Sequence, residues 1–267
     1  MRNNRIKFHR IGAFLLRHWY EVVATIDRKI DIIFWPTVDL LGYGLLTVYI
    51  NRFNSSTGLA AGIIGGLILW SLVYSIQRDI TVSLLEDSWS RNLYNLFSSP
   101  LQASEVVLGA LVLSMAKALI TMSLLVLLAV NLFGFNLFAY GPAMAFLILN
   151  VFLFGWAFGY FTSSFILRFG TKVQILAWSL IALLYPISGI VYPLNVLPAA
   201  LAKIAQLFPL SHIFEAMRAM ILEGINPDAS TMLTIFLMNL GYLVIGVYLF
   251  LRGFKHAKKR GWFIHPS

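Results

Sequence analysis

Apolar residues run through this chain in long blocks broken by short polar stretches. Six blocks are long enough to cross a bilayer as helices: Ile30 to Ile50, Gly58 to Ile76, Val106 to Phe133, Ala143 to Leu167, Val173 to Tyr192, and Thr231 to Leu251. A hydrocarbon core takes about 20 helical residues to span, so the pattern predicts an all-α integral membrane protein with six transmembrane helices. It divides the chain into an N-terminal segment (1–29), a membrane domain (30–255) and a short basic tail (256–267).

Two stretches outside the spans carry a helical pattern of their own. In residues 1–29, Ile11, Phe14, Leu15, Trp19, Val22 and Ile26 recur every three to four positions, while Arg10, Arg17, Glu21 and Arg28 fall largely on another face. Such a helix lies in the headgroup layer, either as a passive anchor or as a gate beside a partner. Residues 77–105 mix Arg78, Asp79, Glu86, Asp87, Arg91 and Glu105 with Leu84, Leu85, Trp89, Leu93, Leu96 and Phe97, then stop at Ser98-Ser99-Pro100. This loop either docks a soluble protein or rests solvated against the membrane.

The segment from Tyr185 to Arg218 breaks the simple pattern. Pro186, Pro193, Pro198 and Pro209 interrupt an apolar run, and each proline removes a backbone donor and clashes with the preceding turn. The segment is too apolar for a solvated loop and too broken for a complete crossing, which predicts a re-entrant hairpin of short helices between the fifth and sixth spans. His212, Glu215 and Arg218 follow at three-residue spacing along one helical face, where Glu215 pairs with Arg218 or His212.

Composition agrees with the pattern, at 59% hydrophobic and 12% charged residues against about 25% charged in soluble domains. The net charge of +9 does not indicate nucleic acid, because the cations are unevenly placed. Seven lysines and arginines lie in residues 1–29, five in 252–267, and two each in 77–105 and 168–172. The other side has only Arg52, Lys203 and Arg218, so the positive-inside rule places both termini in the cytoplasm. No signal-peptide pattern precedes the first span.

Candidate chemistry is sparse. No G-x-x-x-x-G-K-[ST] phosphate loop, no H-E-x-x-H and no cysteine occurs, which leaves no cofactor or metal motif and no thiol chemistry in this chain. Asp39 and Lys117 are the charges nearest mid-span, and they form either a structural pair or a contact with cargo. Gly62 with Gly66 and Gly155 with Gly159 make two G-x-x-x-G patterns, which permit close helix approach, by internal packing in preference to a specific dimer face.

Tyr185-Pro-Ile-Ser-Gly-Ile-Val-Tyr-Pro-Leu, followed by Leu197-Pro198 and by Phe208-Pro209-Leu210 with His212, Glu215, Ala216 and Arg218, resembles the fifth-span and re-entrant signature of permease subunits of type-2 ABC exporters. Ile30-Asp-Ile-Ile-Phe-Trp-Pro and residues 86–101 extend the resemblance over roughly residues 10 to 255. It implies a permease of the cytoplasmic membrane that pairs with a second copy or a close homologue and binds two ATP-binding subunits, which hold the ATP and Mg. Glu86, Asp87, Trp89, Arg91 and Leu93 then belong to the coupling helix, and Phe14, Arg17, Trp19 and Glu21 to the interface helix. Pro193, Pro198, Pro209, His212, Glu215 and Arg218 shape the re-entrant hairpin near the outer exit. The implied cargo is amphipathic, lipid-linked or polysaccharide. Two other classes remain open on the residues alone: an ion-coupled carrier or channel, and a membrane enzyme acting on lipid through His212, Glu215 and Arg218.

Overall fold

The computed structural model describes residues 7–51, 57–89 and 100–260, and the regular structure among them is helical throughout. The α-helices follow in the order α1 Phe8–Ala24, α2 Ile26–Asn51, α3 Thr57–Trp89, α4 Ala103–Phe133, α5 Gly141–Phe169, α6 Leu176–Ala182, α7 Ala199–Ala205, α8 Pro209–Leu222 and α9 Ala229–Arg260. Five stretches among the described residues are long and apolar enough to cross a membrane: Ile32–Ile50, Ala60–Trp89, Ala103–Phe133, Leu137–Val173 and Ala229–Lys259.

The expected fifth span, 173–192, is not one of them. Its regular helix, α6, has seven residues. Beyond it the chain continues through tight turns, with Tyr185 N–H donating to Ala182, and Ile187 and Ser188 N–H both donating to Leu184. Pro186 has no N–H to give, and Gly189 adopts φ +74°, a conformation costly for other residues. A continuous helix is therefore replaced by a short one followed by a bend.

α3 is the hub of the bundle. It packs against α2, α4, α5, α6 and α8, and 78% of its apolar window is buried, against 22% for α2 and for α9. The predicted end at Ile76 is too early, since the helix runs on to Trp89. Its polar residues read as loop because their partners are distant in sequence. Gln77 is fully buried and donates to the Ala177 carbonyl at 3.2 Å, and Asp79 meets Lys117 at 3.4 Å. The Gln77 amide N–H is thereby paired, while its buried Oε1 has no hydrogen-bond partner among the described residues.

Close helix contacts explain the glycine patterns. A Cβ on Gly155 would approach Ile76 Cβ at 2.9 Å, and one on Gly159 would approach Ile80 Cβ at 3.1 Å, so the motif on α5 seats α3. Gly66 likewise admits the Ile190 carbonyl, 2.6 Å from where its Cβ would stand. Both patterns serve packing inside the chain.

Two further ties replace what the bilayer cannot supply. Pro36 within α2 deprives the Ile32 carbonyl of its helical donor, and the Thr121 hydroxyl of α4 donates to that carbonyl at 3.1 Å. Between α5 and α9, Asn239 donates to Asn150 at 3.0 Å, both side chains fully buried. α9 continues past the predicted limit at Leu251, carrying Arg252, Lys255 and Lys258 on its last turns.

Candidate functional site

α1 is held at the basic end of the bundle by two carboxylates. Glu105, whose side chain is fully buried, is the N3 residue of a capping box with Gln102. It accepts from Gln102 N–H at 2.8 Å and from Lys7 N–H, at the start of α1, at 2.9 Å. Arg10 stands 3.6 Å from the same carboxylate and donates to the Pro100 carbonyl at 2.6 Å. Two turns further along α1, Arg17 reaches Asp87 of α3 at 2.5 Å and Glu21 at 3.1 Å.

Between these ties lies an apolar seam. Ile11, Phe14 and Val22 are buried, and the Phe14 ring lies 2.5 Å from where a Gly109 Cβ would stand, so α4 offers it bare backbone. His18 is buried beside them, its Nδ1–H donating to the Phe14 carbonyl at 3.0 Å and its Nε2 3.9 Å from Asp87. Burial pushes its pKa below the ordinary 6.5, against the pull of the Phe14 carbonyl and of Asp87, so the ring is neutral at pH 7. The outer face keeps Phe8, Leu16, Trp19 and Tyr20 exposed. The expected apolar stripe is thus divided: Phe14 faces the bundle, whereas Trp19 and Ile26 face away.

This geometry redistributes the residues expected to meet a partner. Asp87 is turned inward and is taken up by Arg17, an intrachain tie rather than an outward contact. Trp89 is half exposed and donates from Nε1 to Gln174 at 3.2 Å, which ties the end of α3 to the turn between α5 and α6. Glu86 is partly buried. Arg91 and Leu93 lie outside the described residues.

At the opposite end, Glu215 and Arg218 of α8 form a brace. Arg218 donates to Glu215 at 2.6 Å and also to the Gly189 carbonyl, while Leu194 N–H donates to Glu215 at 3.1 Å. The pair fastens α8 to the bend that follows α6. His212 is not part of it, because its Nε2 donates to the Gln206 carbonyl at 2.9 Å. Pro193 and Pro198 precede short helical segments at Leu194–Val196 and α7, and Pro209 opens α8, where a missing N–H costs nothing.

Asp39 and Lys117 do not pair. Lys117 meets Asp79, a residue read as loop in the sequence, 38 positions away. Asp39 is exposed on α2 at the edge of a small cavity of about 90 Å³, lined also by Trp35, Trp70, Tyr74 and Arg78. Nearby, Trp70 meets the Tyr185 ring edge-on at 5.2 Å. Asp79 carries no local signal, whereas Glu105, placed among the loop charges by its sign alone, could have been found from its three-residue spacing to Gln102.

Helices of this length and apolarity, packed through buried amides and glycine contacts, define a multi-pass membrane protein. Residues 38–252 match the family model described as ABC-2 family transporter protein, and the chain belongs to that family. It is therefore an ABC transporter permease, a transport subunit rather than a catalytic enzyme. Comparison with curated proteins gives no significant match.

Proposed function

We propose that this chain is the membrane half of an ATP-driven exporter, powered by two separate ATP-binding subunits that dock on residues 86–97. ATP and Mg belong to those subunits. The family generally works with such partners, and here the Arg17–Asp87 pair supports the reading. It ties an amphipathic helix directly to the stretch of α3 that ends in exposed Trp89, so a push on that stretch displaces α1 as well. In this reading the short segment around α6 counts as a sixth crossing, both termini are cytoplasmic, the membrane is a bacterial-type cytoplasmic membrane, and α7 and α8 form the re-entrant hairpin at the outer exit.

Asp39 supports a path beside α2. A carboxylate facing lipid near mid-span costs a few kcal/mol, and among the described residues Asp39 has no ion-pair partner. Its face is accordingly turned to water or to a second copy of the chain, with Trp35, Trp70 and Tyr74 beside it. An aromatic wall with one carboxylate suits an amphipathic, lipid-linked or polysaccharide cargo.

The test is transport by the chain reconstituted with its ATP-binding subunits. Trp89→Ala combined with Arg91→Glu is expected to abolish ATP-stimulated transport while insertion and assembly persist. Intact transport by that variant would refute the coupling assignment. Uptake driven by an ion gradient through this chain alone would favour an ion-coupled carrier instead. The lipid-enzyme reading fares poorly because Glu215 and Arg218 are tied to each other and His212 points elsewhere.

A further inference from the structure

We propose that the groove between the basic ends of α5 and α9 binds an anionic glycerophospholipid from the leaflet on that side. The groove encloses about 490 Å³. Its rim carries Arg168, Arg252 and His256, and its wall carries Phe165, Phe169 and Leu249. The helices meet closely at its floor, where a Cβ on Gly253 would stand 3.2 Å from the Ser164 carbonyl oxygen.

The vertical order of these residues is that of an amphiphile. Arg168 lies 27 residues beyond Gly141 and Arg252 lies 23 beyond Ala229, which places them about 40 Å and about 35 Å along their helices. Both are therefore at the edge of a hydrocarbon core about 30 Å thick. Phe165 and Leu249 lie three residues back on the same helices, roughly 5 Å deeper. Cations thus stand at headgroup depth, with Phe169 beside Arg168, and Phe165 and Leu249 stand at acyl depth.

The rim charge is also uncommitted. Arg168 and Arg252 are exposed, and among the described residues neither has a carboxylate partner; Arg168 instead lies over the Phe169 ring at 5.4 Å. Two guanidiniums across a groove suit a phosphate, which accepts paired N–H donors from each. A net anionic lipid fits better than a zwitterionic one, whose ammonium would face these arginines. This inference requires only that α5 and α9 cross a bilayer, and it stands apart from the transport reading.

Native mass spectrometry of the delipidated full-length chain tests it, with phosphatidylglycerol and phosphatidylcholine of identical acyl chains as probes and glycerol phosphate as a soluble competitor. Phosphatidylglycerol is expected to be retained with about 30-fold preference, in line with two cations acting near a membrane surface. Arg168→Gln with Arg252→Gln should level that preference. Leu249→Trp, which fills the groove and leaves its charge alone, should reduce retention of both lipids. Equal retention of the two lipids by the unaltered protein overturns the proposal without any variant. It is equally overturned if glycerol phosphate displaces the lipid at equal concentration, which marks a plain anion site, or if a photo-crosslinker at position 249 captures a second copy of the chain in place of lipid.

Discussion

The two ends of the molecule fasten a helix to the bundle with the same chemistry and to opposite effect. At each end a carboxylate is shared between backbone N–H groups and arginine: Glu105 with Lys7, Gln102 and Arg10 at the basic end, Glu215 with Leu194 and Arg218 at the other. α8 is also fixed by burial, since Leu210, Ile213, Phe214 and Met217 are fully covered. α1 buries only a narrow seam and leaves Phe8, Leu16 and Tyr20 outside. The polar ties therefore carry a larger share of the docking of α1 than of α8. α1 is thus the more shallowly buried of the two helices and α8 the more deeply buried.

That contrast can be broken most sharply at Glu105. Glu105→Ala removes from α1 the carboxylate that accepts the partly buried Lys7 N–H and faces Arg10, at about 2 kcal/mol for a hydrogen bond to a charged group. A loss of about 2 kcal/mol lowers the docked population of α1 roughly 30-fold. Hydrogen exchange should show α1 amides losing protection while α3 amides keep theirs, and unchanged protection of α1 would refute the asymmetry. Arg218→Ala should have the smaller cost of about 1 kcal/mol, because Glu215 is partly solvated. Exchange should quicken at residues 189–196 with α8 itself almost unaffected; unfolding of α8 would show the brace to be its main support.

The smallest effect separates the ends by pH. The pKa of His18 is depressed by burial, so the undocked helix binds a proton more readily than the docked one. Docking is then at full strength above pH 6.5 and weakens as pH falls below it, by at most about tenfold in docked population per pH unit. Mobility of a spin label on the exposed Trp19 position should rise on acidification, with no matching change on α8. A flat profile, or one that survives His18→Gln, would remove His18 from the account.

Sequence pattern located the long helices and the amphipathic N-terminus because their periodicity is local. It went astray where polar residues are satisfied at a distance. Gln77, Asp79 and Asp87 read as loop, yet they lie on α3, because Ala177, Lys117 and Arg17 receive them across 100, 38 and 70 positions. The same blindness produced the Asp39–Lys117 pairing, in which Lys117 takes the carboxylate from the helix that read as loop. Pro186 and Gly189 signalled a break after α6, but the length of apolar sequence masked how early regular helix ends there. Within the candidate site, the Glu215–Arg218 pair was legible from helical spacing, whereas the inward turn of Asp87 was not, since nothing local distinguishes it from Glu86.

The continuity of α3 has a mechanical consequence. Its 33 residues form a rod about 50 Å long, gripped where Gly155 and Gly159 seat Ile76 and Ile80. That fulcrum lies about 11 residues from Trp89 and about 21 from Thr57, arms of roughly 16 Å and 30 Å. A tilt that shifts the Trp89 end by about 2 Å would carry the far end about 4 Å the other way. The far arm is itself seated, with Ile190 against Gly66 and Ile221 against Gly65, so such a tilt would carry the bend and α8 with it.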